Sequence, residues 1–254
     1  MTWELKLGDC IEGMRAMADR SVDVIIADPP YSDHVHANAR TNSKHSTRNG
    51  MPLGFDSLSD ADRALLSVEY ARLARRWVLV FGTAEEVGGW RRDLLAAGLE
   101  YIRTGAWVRK GTPQITGDRP AVGWETICIA HRPGRKRWNG GGTDAVWSFP
   151  IPRGDERYGH ATPKPIDLMR SLVSLFTNPG ELVLDSHAGS GTTGAACIEL
   201  GRDFIGFENK KLNYDYATAR LARCVVDLGA VQRQGLLALP KPKQLTVSCD
   251  TDLP

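Results

Sequence analysis

Short apolar runs alternate with longer amphipathic stretches along most of this chain. The runs are rich in Val, Ile, Leu and Phe and predict strands at 22–27, 77–81, 101–108, 126–130, 181–185 and 204–208. The stretches carry apolar positions at helical spacing and predict helices at 10–17, 60–75, 85–97, 165–176 and 212–228, with one more that begins at residue 192. Strands that alternate with helices indicate an α/β fold with a parallel, doubly wound sheet.

Three segments interrupt this alternation. Residues 32–58 are rich in Asn, Ser, His, Arg and Gly, and a loop of that length in a compact domain is usually functional or mobile. Residues 109–158 lack regular alternation apart from the strand at 126–130, and residues 240–254 contain few large apolar groups. We therefore expect a single domain over residues 1–239, followed by a loose tail over 240–254.

Composition limits the class of protein. The chain has 254 residues, of which 42% are hydrophobic and 24% charged, with a net charge of +2, as is typical of a globular protein. No apolar run approaches the length of a membrane span, and the N-terminus lacks the pattern of a secretory signal. The five cysteines are scattered without zinc-ligand spacing, which favours a reducing compartment. We expect a cytoplasmic protein with no metal.

Basic residues are concentrated in the middle of the chain. Residues 101–160 carry 10 basic and 5 acidic side chains, a net charge of +5. The densest part of this segment is the basic run, which we define as Arg132, Arg135, Lys136 and Arg137. Clustered Lys and Arg side chains are typical of surfaces that contact phosphates, although a solvated loop has the same composition.

The first candidate motif follows the strand at 22–27 and reads Asp28-Pro29-Pro30-Tyr31. In open α/β sheets, ligands bind at the carboxyl ends of the strands. Two consecutive prolines hold the chain extended, so the Asp28 carboxylate and the neighbouring carbonyls are presented rigidly, beside the flat ring of Tyr31. A strand-terminating turn with a solvated aspartate is the alternative.

The second motif runs from Asp185 to Thr193 and lies between a strand and a helix. Gly189 and Gly191 let the backbone approach a ligand closely, and amides at a helix start favour anionic groups. Glu208 ends the next strand, a position that suits the hydroxyl groups of a ribose. A tight turn without a ligand is the alternative.

The third motif, His160-Ala161-Thr162-Pro163-Lys164-Pro165, precedes a predicted helix. Its two prolines hold Lys164 at the helix start, where a lone ammonium group would not favour the helix dipole. An anionic ligand would explain this lysine, and a surface lysine is the alternative.

Together the three motifs resemble those of the S-adenosylmethionine-dependent DNA amino-methyltransferases. They resemble the permuted β subgroup, in which the catalytic motif, here at 28–31, precedes the cofactor motif, here at 185–193. The first motif matches the family's D-P-P-Y. The second matches D-x-F-x-G-S-G-T-T, with His187 in place of the usual Phe, and the third matches H-x-T-x-K-P. Asp9 lies in a stretch that looks like the family's N-terminal G-D element. The resemblance spans about residues 5–225 and implies a Rossmann-like methyltransferase sheet with a small irregular target-recognition insertion.

The resemblance implies a catalytic role for Asp28, Pro29, Pro30 and Tyr31. The Asp28 carboxylate and the Pro29 carbonyl would accept hydrogen bonds from an exocyclic amine, and Tyr31 would stack on a base flipped out of the duplex.

The cofactor implied by the resemblance is S-adenosylmethionine. Lys164 and Thr162 would meet its methionine end, Glu208 its ribose, and Asp9 and Cys10 its adenine. The residues assigned to the cofactor by resemblance are Asp9, Cys10, Asp28, His160, Thr162, Lys164, Asp185, His187, Ala188, Gly189, Ser190, Gly191, Thr192, Thr193 and Glu208.

Target recognition would come from two segments outside the core, a mobile DNA-facing loop at 32–58 and a target-recognition segment at 109–158. The side chains expected to contact double-stranded DNA are His34, His36, Arg40, Lys44, Arg48, Arg132, Arg135, Lys136 and Arg137. The three histidines at 34, 36 and 45 lack a supporting carboxylate cluster, so no metal site is predicted. Homodimers are common in the resembling family, but the sequence leaves the oligomeric state open.

The resemblance implies a stand-alone, site-specific enzyme of bacterial or phage type, as in restriction–modification, that methylates the N6 amine of adenine in duplex DNA. Asp in the first motif position favours adenine N6, whereas Ser favours cytosine N4. The absence of a Pro-Cys dipeptide argues against a cytosine-C5 enzyme. The alternatives are cytosine-N4 methylation, methylation of RNA or of a protein amide, and a DNA-binding homologue that has lost catalysis.

Overall fold

The computed structural model describes residues 1–31, 58–109, 120–154 and 163–233. All eight strands of these residues belong to one sheet. The strands are β1 Trp3–Leu7, β2 Val22–Ala27, β3 Ala74–Gly82, β4 Glu100–Val108, β5 Trp124–His131, β6 Val146–Ser148, β7 Leu182–Asp185 and β8 Asp203–Glu208. The α-helices are α1 Cys10–Arg15, α2 Asp60–Leu73, α3 Val87–Ala96, α4 Ile166–Phe176, α5 Thr192–Glu199 and α6 Lys211–Arg233, and a 3₁₀ turn spans Ala84–Glu86.

The strand order is β1-β8-β7-β2-β3-β5-β4-β6. Strands β1, β8, β7, β2 and β3 are parallel to one another, so their carboxyl ends share one edge of the sheet, which we call the carboxyl edge, opposite the amino edge. The chain runs outward from β2 toward β3 and outward from β7 toward β8. The crevice between β2 and β7 is therefore the switch point at which an α/β sheet binds its ligands.

Apolar side chains cover both faces of the sheet. Val24 and Ile26 of β2 belong to the core cluster shared with helices α4 and α5, and Ile25 belongs to the cluster on the opposite face, shared with α2 and α3. All three side chains are fully buried. A strand that is buried on both faces has a continuous apolar sequence instead of an alternating one, which is what residues 24–27 show.

Strand β5 departs from the predicted all-parallel sheet. It is antiparallel to both β3 and β4, so Thr126 lies opposite Gly82 and His131 lies opposite Trp77. The apolar run at 127–130 reads alike in either direction, because burial on both faces carries no information about strand polarity. As a result, β5 begins at the carboxyl edge and ends at the amino edge.

The segment 109–158, as far as it is described, includes the strand predicted at 126–130. It contributes β5 to the interior of the sheet, between β3 and β4, and β6 to its margin. The loop expected at 32–58, apart from Leu58, and the expected tail at 240–254 lie outside the described residues. Among the residues described, no helix has the length and apolar character needed to cross a membrane.

Candidate active site

A cavity of about 380 Å³ opens at the carboxyl edge, where β2 and β7 end. Its walls come from three turns: Gly8 to Ile11 after β1, Asp28 to Tyr31 after β2, and Asp185 to Ser190 after β7. Lys164, which precedes α4, and Glu208, at the end of β8, complete them. Residues far apart in the sequence thus meet around one volume of the size that binds small molecules and cofactors.

The glycine turn after β7 is organised around the buried Asp185 carboxylate. Its Oδ1 accepts a hydrogen bond from the His187 backbone N–H at 3.0 Å, and its Oδ2 accepts one from Thr193 Oγ1 at 2.6 Å. Burial raises the pKa of Asp185 to about 7, although both of these hydrogen bonds oppose the shift. Gly191 takes φ 73°, where a Cβ would lie 3.1 Å from the Ala217 Cβ, so this position favours glycine.

Glu208 connects the end of β8 to the same turn. Its Oε2 accepts a hydrogen bond from the Gly189 N–H at 2.9 Å, and its Oε1 accepts one from the Lys210 N–H at 2.9 Å. The carboxylate is therefore held at the wall of the cavity, at the position predicted to meet a ribose.

His187 takes part in a polar chain that the family's usual Phe could not form. The Tyr70 hydroxyl lies 2.6 Å from Ser186 Oγ, which lies 2.8 Å from His187 Nδ1, and His187 Nε2 is 3.7 Å from Cys10 Sγ. Burial lowers the pKa of His187 to about 4 and raises the pKa of Cys10 to about 12. Both side chains are therefore neutral at pH 7.

The tetrapeptide after β2 places all four of its residues, Asp28 to Tyr31, on the cavity wall. Lys164 Nζ lies 2.5 Å from Asp28 Oδ2. The sequence predicted that Lys164 would meet the methionine end of the cofactor, whereas in the structure its ammonium group pairs with the catalytic candidate Asp28. Lys164 also lines the cavity, so both contacts are open to it.

Glu125 is a site residue that the sequence reasoning missed. It lies second in β5, and its Oε2 is 3.3 Å from Lys164 Nζ, while its Oε1 accepts a hydrogen bond from Arg109 Nη1 at 2.8 Å. The available signal was a charged residue at the edge of the apolar run 126–130, at the end of β5 that lies at the carboxyl edge. Its location was not predicted because β5 was expected to be parallel.

Burial and charge pairing act in opposite directions on these groups. Burial raises the pKa of Asp28, Lys164 lowers it, and Glu125 raises it further, so that the net shift is upward. Burial alone would lower the pKa of Lys164, but the carboxylates of Asp28 and Glu125 raise it above its usual range. Lys164 therefore stays protonated at neutral pH.

Most of the residues predicted to bind a cofactor line this cavity. They are Asp9, Cys10, Asp28, Lys164, Asp185, His187, Ala188, Gly189, Ser190, Thr192, Thr193 and Glu208. Asp9 also caps α1, with its Oδ1 accepting a hydrogen bond from the Glu12 N–H at 2.9 Å. Gly191 is not part of the wall and instead precedes α5 as its N-cap. His160 and Thr162 lie outside the described residues.

The basic run does not reach this site. It follows the carboxyl end of β5, at the amino edge of the sheet, and the seven residues from Glu125 to His131 span roughly 20 Å. Arg132 donates hydrogen bonds to the backbone carbonyls of Ala71 and Ala74, and Lys136 pairs with Glu100 at 2.5 Å. Contact of the run with DNA phosphates stays a prediction, and such a contact would lie at the amino edge.

The other predicted DNA contacts cannot be placed. His34, His36, Arg40, Lys44 and Arg48 all lie outside the described residues.

The charge of the cavity wall fits a cationic ligand with hydroxyl groups. Five carboxylates and two ammonium groups line it, so its formal charge is −3 when all of them are ionised. The carboxylates belong to Asp9, Asp28, Asp62, Asp185 and Glu208, and the ammonium groups to Lys164 and Lys210. A sulfonium cofactor that carries a ribose matches this donor set.

The chain is similar in sequence to known DNA methyltransferases. A family described as DNA methylase matches residues 129–219. The type II methyltransferase M.HinfI of Haemophilus influenzae is 26% identical over 249 residues, which cover 84% of this chain and 67% of that protein. The DNA adenine methyltransferase YhdJ of Escherichia coli K12 is 45% identical over 80 residues, which cover 31% of this chain and 26% of that protein.

A solved structure matches as well. The complex of M1.HpyAVI with S-adenosylmethionine superposes with a TM-score of 0.67 at 25% identity, over 87% of this chain and 99% of that one. The sheet order and the cavity at its switch point thus define a Rossmann-like methyltransferase fold. The matched family, the sequence relatives and this structure together support an amino-methyltransferase family for the chain.

Proposed function

We propose that this protein transfers a methyl group from S-adenosylmethionine to the exocyclic N6 amine of adenine in double-stranded DNA. The observation that carries this proposal is that Asp28 and the glycine turn line the same cavity. A hydrogen-bond acceptor for an amine and a binding site for a nucleoside cofactor are thereby brought together. The target amine is itself the nucleophile, so the protein need not supply one.

When it is bound, S-adenosylmethionine supplies a methyl group whose bond to a cationic sulfur breaks as the target nitrogen forms its new bond. The residues that would hold it are Asp9, Cys10, the glycine turn and Glu208. The hydrogen-bonded carboxylates of Asp185 and Glu208 fix the shape of that turn before any ligand arrives, which reduces the ordering cost of binding.

The protein's main task is to make the target amine nucleophilic, because its lone pair is delocalised into the base. Asp28 and the Pro29 carbonyl accept hydrogen bonds from the amine and favour a tetrahedral nitrogen, whose excess proton Asp28 can then accept. Tyr31 adds a flat face on which a base flipped out of the duplex can stack. Its burial raises the pKa of its phenol above the usual value, so the ring stays uncharged.

Adenine is the proposed target because the tetrapeptide begins with Asp and because the partial relative YhdJ is named as an adenine methyltransferase. The segment 32–57 and the side chains around the cavity mouth would supply DNA contacts.

The test is transfer of labelled methyl from S-adenosylmethionine to unmethylated duplex DNA, followed by nucleoside analysis of the digest. We expect label in N6-methyladenine. Label in N4-methylcytosine would overturn the choice of base and keep the family. Label that appears only with RNA or protein acceptors, or cofactor binding without any transfer, would overturn the proposed substrate.

A further inference from the structure

Four charged side chains form a continuous chain beside the cavity: Asp28, Lys164, Glu125 and Arg109. Asp28 Oδ2 lies 2.5 Å and Glu125 Oε2 lies 3.3 Å from Lys164 Nζ, and Glu125 Oε1 accepts a hydrogen bond from Arg109 Nη1 at 2.8 Å. The side chains of Lys164 and Glu125 are each only 8% exposed. Two negative and two positive groups thus alternate, and the two in the middle are largely shielded from water.

These residues come from four separate parts of the chain. Asp28 follows β2, Arg109 follows β4, Glu125 lies at the start of β5, and Lys164 precedes α4. Burial of charges is costly even when they are paired, and apolar residues of similar size often give equal or greater stability. The convergence of four charged groups beside a cavity therefore calls for an explanation other than stability.

Lys164 is held by its surroundings as well as by its charge partners. Its ammonium group lies 4.9 Å from the centre of the Phe81 ring and 6.0 Å from that of Trp107. Among the described residues, Glu125 Oε2 has no hydrogen-bond partner and faces this ammonium group. The Lys164 charge is thus divided between two carboxylates, of which only Asp28 lines the cavity.

We infer that Glu125 is a positioning residue that fixes Lys164 and shares its charge, so that Asp28 keeps acceptor capacity for the target amine. The inference rests on the proposed function for its catalytic consequence. Without the Glu125 carboxylate, Asp28 would become the sole anionic partner of Lys164 and a weaker acceptor toward the amine.

The charged groups around Asp28 act on its pKa in opposite directions, and Asp28 in turn helps to raise the pKa of Asp185. Lys164 lowers the pKa of Asp28, while Glu125 and Glu86 raise it, beyond the rise that burial causes. Tyr31 is influenced by the same charges and by Arg109. Removal of the Glu125 charge must therefore lower the pKa of Asp28, whereas Glu125→Asp keeps the charge and should preserve it.

The direct test is the titration of the Asp28 carboxyl carbon by ¹³C NMR in the full-length, cofactor-free protein, with its signal assigned by its loss in Asp28→Asn. We expect the midpoint in Glu125→Gln to fall by about one pH unit, because a nearby like charge has been removed. Glu125→Asp should titrate like the wild type. Glu100→Gln is the matched control, because Glu100 also pairs with a lysine but lies at the amino edge.

Methyl transfer supplies the second readout. In Glu125→Gln the acid limb of the plot of kcat against pH should move to lower pH. We also expect kcat to fall about 10- to 100-fold, as happens when a residue that orients a functional group is removed. Glu125→Asp should keep the limb in place even where its rate is lower, and thermal unfolding will show that each variant is folded.

The outcomes separate this inference from the proposed function. An unchanged titration midpoint of Asp28 in a folded Glu125→Gln variant would overturn the inference. An acid limb of kcat at the same pH in an active Glu125→Gln variant and in the wild type would overturn it as well. Lack of methyl transfer by the wild type would instead overturn the proposed function, while the carboxyl titration would still decide whether Glu125 controls Asp28.

Discussion

The two edges of the sheet use charged residues in different ways. At the carboxyl edge, Asp28 and Glu125 both pair with Lys164 beside a cavity. At the amino edge, arginines bind backbone carbonyls: Arg72 binds those of Met14 and Met17, and Arg132 binds those of Ala71 and Ala74. The charged groups at the carboxyl edge thus pair with one another, whereas the arginines at the amino edge bind backbone carbonyls in or beside α1 and α2 and at the start of β3.

This difference shows what a cluster of basic residues in a sequence leaves undetermined. The basic run has the composition of a phosphate-binding surface, but the antiparallel direction of β5 carries it away from the cavity. Arg132 is already occupied by two carbonyl groups. Whether a guanidinium group is available to bind a phosphate depends on the hydrogen-bond acceptors around it. These acceptors come from distant parts of the chain.

The largest expected effect is at the carboxyl edge. Asp28→Ala should reduce methyl transfer by more than about 1,000-fold, because the acceptor for the target amine is lost. Cofactor affinity should change by less than about tenfold, since the glycine turn and Glu208 are untouched. Single-turnover methylation and calorimetric titration measure the two quantities, with Asp19→Ala, at the exposed amino edge, as the control. Equal loss of both would show that Asp28 serves cofactor binding instead.

At the amino edge we expect a loss of stability without a loss of chemistry. Arg132→Met retains the apolar stem but leaves the Ala71 and Ala74 carbonyls without their donor, which should cost about 1–3 kcal/mol in the free energy of unfolding. Urea denaturation measures this cost. The methylation rate of the folded variant should equal that of the wild type, and a rate that falls in parallel with affinity for DNA would restore Arg132 to the DNA interface.

His187 gives the carboxyl edge a distinct response to acid. Its pKa in the folded protein, about 4, is below the value of about 6.5 for a free side chain, so the unfolded chain binds the extra proton between these values. Stability from this group is therefore complete above pH 6.5 and falls as the pH drops. Relative to His187→Phe, the wild type should lose about 1–2 kcal/mol between pH 7 and pH 5.

Urea unfolding of both proteins at the two pH values tests this expectation. The raised pKa of Asp185 acts in the opposite direction but is common to both proteins, so it cancels in the comparison. Identical pH dependence in the two would mean that His187 is as well solvated in the folded state as in the unfolded chain.

The smallest effect is expected from the exposed members of the basic run. The double variant Arg135→Gln, Arg137→Gln should leave both the DNA affinity and its dependence on salt unchanged, because these side chains lie at the amino edge. A slope that becomes shallower by about one to two would show that both contact phosphates and that bound DNA extends around the sheet.

The sequence predicted the parts of this molecule that depend on local chemistry. The strand that ends just before Asp28 and the turn that begins at Asp185 each require particular residues at adjacent positions, and such requirements are visible in a chain. Glu125 was missed because its partner Lys164 lies 39 positions away and only strand direction brings them together. The pairing of Lys164 with Asp28 was likewise not predictable, since both residues had been assigned to ligands.

The backbone contact between Tyr31 and Leu58 has a consequence for how recognition can diversify. The Leu58 N–H donates to the Tyr31 carbonyl at 3.2 Å, so the two ends of the segment 32–57 are fastened together at the rim of the cavity. Because a closed loop costs only about 0.6 kcal/mol more for each doubling of its length, the segment can be lengthened, shortened or exchanged with little disturbance to the sheet. Segments of different length and sequence could therefore connect Tyr31 to Leu58 without a change in the position of Asp28.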